Sequence, residues 1–434
     1  MPAKVKQWTA TTENSRWQEK ANPESGVSAQ ANLRPVGISP DKWRGFGGCF
    51  NELGWIALSW VEKELREKIM KDLFDQKSGC KFSFCRLPVG ANDYAETWYS
   101  LNETDGDFAM KNFSIERDRN YIIPYIKMAL QHSPDINFFA SPWSPPTWMK
   151  FPKSYNYGTF VMKPEYLKAY ALYFLKFVRA YREEGIEISQ IHVQNEPNSD
   201  QKFPSCVWTG EKIRDFIRDY MGPLFEKENE SCEIWLGTIE KHMFNQWPAT
   251  VLANAEARGY IKGIGYQWAG KYMVAQTHNA WPQLPIIQTE NECGDGRNTW
   301  EYAMYVFDLF RSYITDGVVA YTYWNMILPT GGESTWGWKQ NSLITIDPDS
   351  KEVTYQPEYY IMKHFSHFVQ NGAQVRHTQG QWSAHSVLFK NPDGTEVLVV
   401  SNPLPQSEEL RVDLASGTLV AELEPRSFNT FVLE

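Results

Sequence analysis

No run among the 434 residues is apolar and long enough to span a bilayer, so stable membrane insertion is not expected. Six cysteines over that length make no disulfide framework; Cys80 and Cys85, though close, read better as buried thiols. Basic residues are outnumbered, 43 Lys and Arg against 52 Asp and Glu, and a net charge of −9 argues against a nucleic-acid partner. Histidine is scarce. The eight are scattered, and His364 with His367, three apart, reads as an exposed helix face rather than a ligand pair. With no HExxH and no paired CxxC, neither a metal nor any other cofactor is expected. No G-x-S-x-G elbow and no phosphate-binding glycine loop is present. The start, Met1-Pro-Ala-Lys-Val-Lys-Gln-Trp8, lacks the apolar core of a secretory leader. A cytoplasmic protein is expected, or a secreted one if a leader has been trimmed.

What the chain has in abundance is aromatic surface. Eighteen Trp, 22 Tyr and 24 Phe make up 15% of it, and many of the Trp neighbour Gly, Pro or Asn in apparent loops. Core packing accounts for Phe, but loop Trp and Tyr offer flat, amphipathic platforms. Sugar rings present apolar C–H faces that suit such platforms, so the bias points to a carbohydrate ligand.

From about residue 44 to 370, short apolar runs alternate with amphipathic stretches. Eight candidate strands lie at 44–50, 82–88, 136–142, 189–195, 233–239, 261–268, 285–290 and 318–325. They read as buried on both faces, as parallel strands are. Between them, Ser59 and Glu62 have capping-box spacing, Pro164 and Gly185 bracket one helix, and Thr299 and Gly317 another. Eight strands with intervening helices predict an α/β fold, a (β/α)8 TIM barrel over 41–370. After 370 the pattern becomes short strands and turns, with Ser386–Lys390, Val397–Ser401 and Phe428–Leu433 as candidates. That tail, 371–434, is small for an all-β sandwich. The N-terminal segment, 1–40, with Val5–Thr12, is expected to supply further strands.

Barrel enzymes carry reactive side chains where strands end. The fourth candidate strand ends in Gln194-Asn195-Glu196-Pro197 and the seventh in Gln288-Thr289-Glu290. Two carboxylates at the ends of strands 4 and 7 face each other across a barrel mouth. Glycoside hydrolysis needs such a pair, one to protonate the leaving oxygen and one to act on the opposite face of the sugar. Asn-Glu-Pro alone also reads, less well, as a plain turn, and Glu292 competes with Glu290. Glu290 directly ends the strand, however, whereas Glu292 lies in the following loop.

These residues belong to a longer set: Gly45-Phe-Gly-Gly48, Arg86-Leu-Pro88 with Asp93, Ser141-Pro-Trp-Ser-Pro-Pro-Thr-Trp148, Gln194-Asn-Glu-Pro197, Thr289-Glu290 and Tyr323-Trp-Asn325. With them the chain resembles glycoside hydrolase family 30, which includes lysosomal glucosylceramidases and bacterial and fungal β-1,6-glucanases. The resemblance implies a barrel joined to a β-sandwich built from both chain ends. It also implies a retaining β-glycosidase that hydrolyses β-glucosidic bonds by double displacement, Glu196 as acid/base and Glu290 as nucleophile. Asn195 would hold the sugar 2-hydroxyl or the nucleophile; Asp93, Trp143, Trp324 and Asn341 would line the sugar site, with Arg86 beneath. An endo-acting β-1,6-glucanase, a β-xylosidase or a glucosylceramidase would share this chemistry, and a sugar-binding protein without turnover would share the cleft. Two departures stand out. Where the family has His-Trp-Tyr after strand 6, this chain has Gln267-Trp268-Ala269. The ring that hydrogen-bonds the nucleophile is then absent or comes from Tyr266 or Tyr272. The loop Asn291–Asn298 is also more polar than in the glucosylceramidases, suiting, like Trp336-Gly-Trp338, a sugar-like leaving group.

Overall fold

The structure, a computed structural model, describes residues 3–23 and 31–434; residues 24–30 of the N-terminal segment lie outside them. Eight parallel strands close into a barrel: β1 (Gly45–Cys49), β2 (Phe84–Pro88), β3 (Asn137–Ser141), β4 (Ile188–His192), β5 (Glu233–Ile239), β6 (Ile261–Gln267), β7 (Ile286–Glu290) and β8 (Val318–Asn325). Each pairs with the next, and β8 with β1. The glycines of β1 answer to close packing: a Cβ on Gly47 would lie 2.0 Å from the Phe84 carbonyl oxygen. Phe84, Phe139, Trp235, Ile287, Val319 and Ala320 form their own cluster on the strands. Arg86 follows Phe84 by two along β2 and shares its face, so the lumen turns from apolar to polar toward the strand ends.

The helices start where the local chemistry provides a cap. Pro164 opens Pro164–Glu183, and Thr299 caps Trp300–Thr315 by accepting from the Tyr302 amide. The Ser59/Glu62 capping box does not form. Ser59 instead ends the helix Glu52–Ser59 and bonds back to the Trp55 carbonyl, while Lys63–Phe74 begins at Glu62 without a side-chain cap.

A seven-stranded sheet runs in the order Gln18–Lys20, Val5–Thr11, Ser427–Leu433, Glu396–Asn402, Ser386–Lys390, Gln374–Gln379 and Arg34–Ile38. Strands from both chain ends therefore share it, and Trp8 pairs with Phe431. Alternation explains how it sits. Leu388, Leu398, Val400, Phe431 and Leu433 pack on the hairpin Glu408–Leu414/Gly417–Leu423, which the tail pattern did not single out. Val387, Phe389, Val397, Val399 and Phe428 face the other way, into the cluster that holds Trp43, Phe46 and Phe365 of the barrel side. The central strands of the sheet are buried on both faces, one in the sandwich and one against the barrel, while the edge strands Gln18–Lys20 and Arg34–Ile38 are largely exposed.

His364 is not on an exposed face. It is fully buried in the helix Pro357–Ser366, its two ring nitrogens bonded to Thr430 and Thr11 at 2.8 and 2.9 Å. Burial holds its pKa down at about 3, so it bridges the two terminal strands as a neutral ring. All six cysteines are free and buried.

Candidate active site

Arg86 organises the mouth of the barrel. Fully buried on β2, its guanidinium donates to Glu290 Oε2 (2.8 Å), Asn195 Oδ1 (2.7 Å) and Ser141 Oγ (2.8 Å). Its planar fork suits three acceptors converging from different strands. The indole of Trp143 stacks below it, 4.5 Å from ring centre to guanidinium carbon, and Trp324 stacks on Trp143 at 5.3 Å. Glu290, the last residue of β7, is 6% exposed, and its other oxygen accepts from the Trp268 indole at 3.0 Å.

Asn195 and Glu196 lie just beyond β4, held by its neighbours. The Asn195 amide donates to the Pro142 carbonyl after β3, and the Glu196 amide to the Thr238 carbonyl of β5. Glu196 takes φ +48°, a left-handed conformation that is uncommon for a residue with a side chain and costs about 1–3 kcal/mol. Gln267, ending β6, donates to Glu196 Oε1 (3.1 Å) and Asn195 Oδ1 (3.2 Å), and it also stabilises the carboxylate of Glu290.

The cavity above them measures about 320 Å³, and Asp93, Trp143, Asn195, Glu196, Glu240 and Glu290 all line it. Asp93 is 5% exposed, and its Oδ1 has no protein partner. Three expectations need correction. Asn341 does not line this cavity: its amide donates to Glu358 (2.7 Å) and its oxygen accepts from the backbone of Gly296 and Asn298, so it anchors the loop beside the site. The neighbouring Gln340 lines the cavity instead and accepts from the Trp324 indole at 2.7 Å, leaving Trp324 behind Trp143 rather than on the cavity wall. The ring on Glu290 is neither Tyr266, which bonds Thr277, nor Tyr272, which is 64% exposed. It is Trp268. The competitor Glu292 is held by Lys271 and by Tyr305 (2.7 Å). Trp148 packs in its loop, its indole donating to the Asn102 carbonyl.

Four carboxyls share this pocket, and the surroundings push each of them upward. Burial is the main cause for Glu196, followed by the charges of Glu290 and Glu240; only the Gln267 amide acts strongly against them, and the pKa lies well above the carboxylate range. Burial also raises Glu290, but Arg86, Trp268 and Gln267 oppose it. Glu240 is raised by burial against three hydrogen bonds, and Asp93 is pushed up to about 8 by burial and by Glu290. Raised carboxyl pKa values mean that the folded state holds protons the unfolded chain has lost, so this group of residues adds stability as pH falls from about 8. Buried His192, His364 and His367 are held low and work in the opposite direction once pH drops below about 6.5, where unfolded histidines take up protons. Tm is expected to climb from pH 8 to about 6.5 and to climb less steeply below it, with a shallower climb in Asp93→Asn. Identical slopes in the two proteins would remove Asp93 from this account. Among the described residues no group of three or more His, Cys, Asp or Glu is placed to hold a metal ion.

Comparison with known proteins agrees with this geometry. The family model for the glycosyl hydrolase family 30 TIM-barrel domain matches residues 43–369, and that for the family's beta sandwich domain matches 374–431. A putative glucosylceramidase 2 of Caenorhabditis elegans is 30% identical over 389 residues, covering 83% of this chain and 74% of the relative. An endo-1,6-beta-D-glucanase of Neurospora crassa is 27% identical over 416 residues, covering 90% and 85%. The solved structure of an endo-beta1,6-glucanase superposes with a TM-score of 0.88 at 23% identity, over 98% of this chain and 99% of the other. A closed barrel, a sandwich sharing its core and two glutamates at the ends of β4 and β7 accompany matches over both domains, and the chain belongs to glycoside hydrolase family 30.

Proposed function

We propose that this glycoside hydrolase cleaves β-glucosides with retention of configuration, with Glu290 as nucleophile and Glu196 as acid/base. The observation that carries the reading is the unequal environment of the two glutamates. Glu290 has a buried arginine and an indole N–H on its oxygens, partners that stabilise a carboxylate. Glu196 has one amide and the carboxyls of Glu290, Glu240 and Asp93 as neighbours, which favour a carboxylic acid. A pair so separated serves as ionised nucleophile and protonated acid.

In the first step Glu290 attacks the anomeric carbon while Glu196 passes its proton to the departing oxygen. In the second, ionised Glu196 draws a proton from water, which attacks the same carbon and releases Glu290. Arg86 holds Glu290 in place throughout, and Asn195, bonded by Arg86, Thr238 and Gln267, meets the sugar 2-hydroxyl on this reading. The free buried oxygen of Asp93 is an acceptor for another ring hydroxyl, beside the face of Trp143.

The glycone is read as glucose, the unit shared by the names glucosylceramidase and 1,6-beta-D-glucanase among the relatives. The leaving group is read as sugar-like, because Gln201, Lys241 and Trp338 line the same cavity and an adjoining groove carries Lys202, Asp295 and Trp336. A ceramide tail would favour an apolar entrance. Proton NMR during hydrolysis of an aryl β-glucoside will show β-glucose first; α-glucose first would refute retention. Among matched aryl glycosides, loss of the hydroxymethyl group in the β-xyloside leaves polar partners unpaired. That costs roughly 1–3 kcal/mol each, or about ten- to a hundredfold in kcat/KM. A preferred xyloside would overturn the glucose reading.

A further inference from the structure

The cavity has two ends. Of the residues that line it, Asp93 lies beside Glu290 and Gln340, while Glu196 has Glu290 on one hand and Glu240 on the other as its nearest charged neighbours. Beyond Glu196 lies Glu240, the residue that follows β5, only 5% exposed yet on the cavity wall. Its Oε1 is well supplied, accepting from Ser199 Oγ (2.9 Å) and the Asn198 amide (3.2 Å). Its Oε2 has only a long contact from Asn198 Nδ2 at 3.4 Å. The adjacent Lys241 turns its ammonium to the Asn198 carbonyl (2.8 Å), and among the described residues Glu240 has no ion-pair partner within 4.0 Å.

Tying down the turn at 196–199 does not account for this. A neutral oxygen would accept the Ser199 and Asn198 bonds without the desolvation cost of a buried, unpaired carboxylate. A carboxylate offers about four acceptor positions, and Oε2 keeps capacity on the side of the cavity where the leaving group departs. We propose that Glu240, with Gln201 lining the same end, is the binding subsite for a sugar leaving group. Oε2 accepts a hydrogen bond from a hydroxyl of that unit, and the contact sets the preference for a glycosyl over a simple alkyl leaving group. The proposal rests on the reading of Glu196 as the acid, since that decides which end of the cavity receives the leaving group.

The test compares gentiobiose, whose leaving group is glucose, with methyl β-glucoside, whose leaving group is methanol. Both release aliphatic alcohols that need the same protonation, so any change in the acidity of Glu196 cancels in the ratio of their kcat/KM values. In Glu240→Gln this ratio will fall tenfold or more, the loss appearing mainly in KM for gentiobiose. An unchanged ratio in a folded variant would overturn the subsite. Should Glu240→Gln fail to fold, Gln201→Ala reads the same ratio, and a severalfold fall is expected; no change there would equally overturn it. If the unaltered protein cleaves neither compound, the fault lies in the β-glucosidase reading itself, and the subsite falls with it.

Discussion

Replacement of Glu290 by alanine will remove steady-state turnover of β-glucosides by about four to six orders of magnitude, the range found when a nucleophile acting as part of a unit is deleted. Added azide will restore product formation, and the product will be the α-glycosyl azide. With the carboxylate gone, the small anion enters the space under the sugar and displaces the leaving group from the same side, Glu196 still donating the proton. Glu196→Ala will behave differently. Aryl glucosides with good leaving groups depart with little help from an acid, so the glycosyl-Glu290 intermediate still forms from them. Azide then attacks that intermediate from the other face and gives the β-azide. The two products separate the roles without reference to rates. Formation of the α-azide by Glu292→Ala, with Glu290→Ala inert, would overturn the nucleophile assignment. The Lys271 and Tyr305 contacts that occupy the Glu292 carboxylate speak against that outcome.

Arg86→Met will cost both activity and stability, with a pH signature that packing alone cannot produce. Losing one partner of a buried ion pair leaves the other charge unsatisfied, at about 3–5 kcal/mol. Glu290 escapes part of that cost by protonating, and burial already raises its pKa with the arginine present. In the variant its folded pKa rises further, so the folded state binds a proton that the unfolded chain lacks, and stability is lost as pH rises through that window. The deficit against the unaltered protein is therefore larger at pH 7.5 than at pH 5 in urea melts. The acidic limb of the kcat/KM profile moves upward too, since a protonated Glu290 cannot attack. An equal deficit at both pH values would reduce Arg86 to a packing residue over Trp143.

The barrel was readable because its strands are buried on both faces. Each is a short, largely apolar run bounded by turns, and each candidate overlaps an observed strand. Glu290 was readable for the same reason, standing as the last residue of such a run. Glu196 was harder. The strand before it ends at His192, and three residues continue on bonds to β3 and β5 before the left-handed turn. Trp268 was passed over because it also has a left-handed backbone, φ +48°, which brings its indole back to Glu290; residue type and spacing do not reveal that. Gln340 and Asn341 show the limit of a single position. Neighbours on an extended chain face opposite ways, and only the fold decides which meets the cavity. Glu240 was within reach, since the strand-end rule applied to β5 marks it directly. His364 was not, for a helix pattern cannot report a sheet assembled from the two far ends of the chain.

That sheet also has a timetable. The Trp8 indole bonds Asn429, 421 positions later. At about 5–20 residues per second on the ribosome, the strand Val5–Thr11 waits on the order of 20–80 s for the strand it lies beside. Through that interval the whole barrel is made while one edge of the early strand stays open, a standing invitation to pair with a neighbouring nascent chain. A chain stopped after residue 369 would hold all eight barrel strands but none of Val387, Phe389, Val397, Val399 and Phe428, so Trp43, Phe46 and Phe365 would lose the layer that covers them. Until residues 386–433 arrive, a barrel already carrying both glutamates keeps an apolar flank in water.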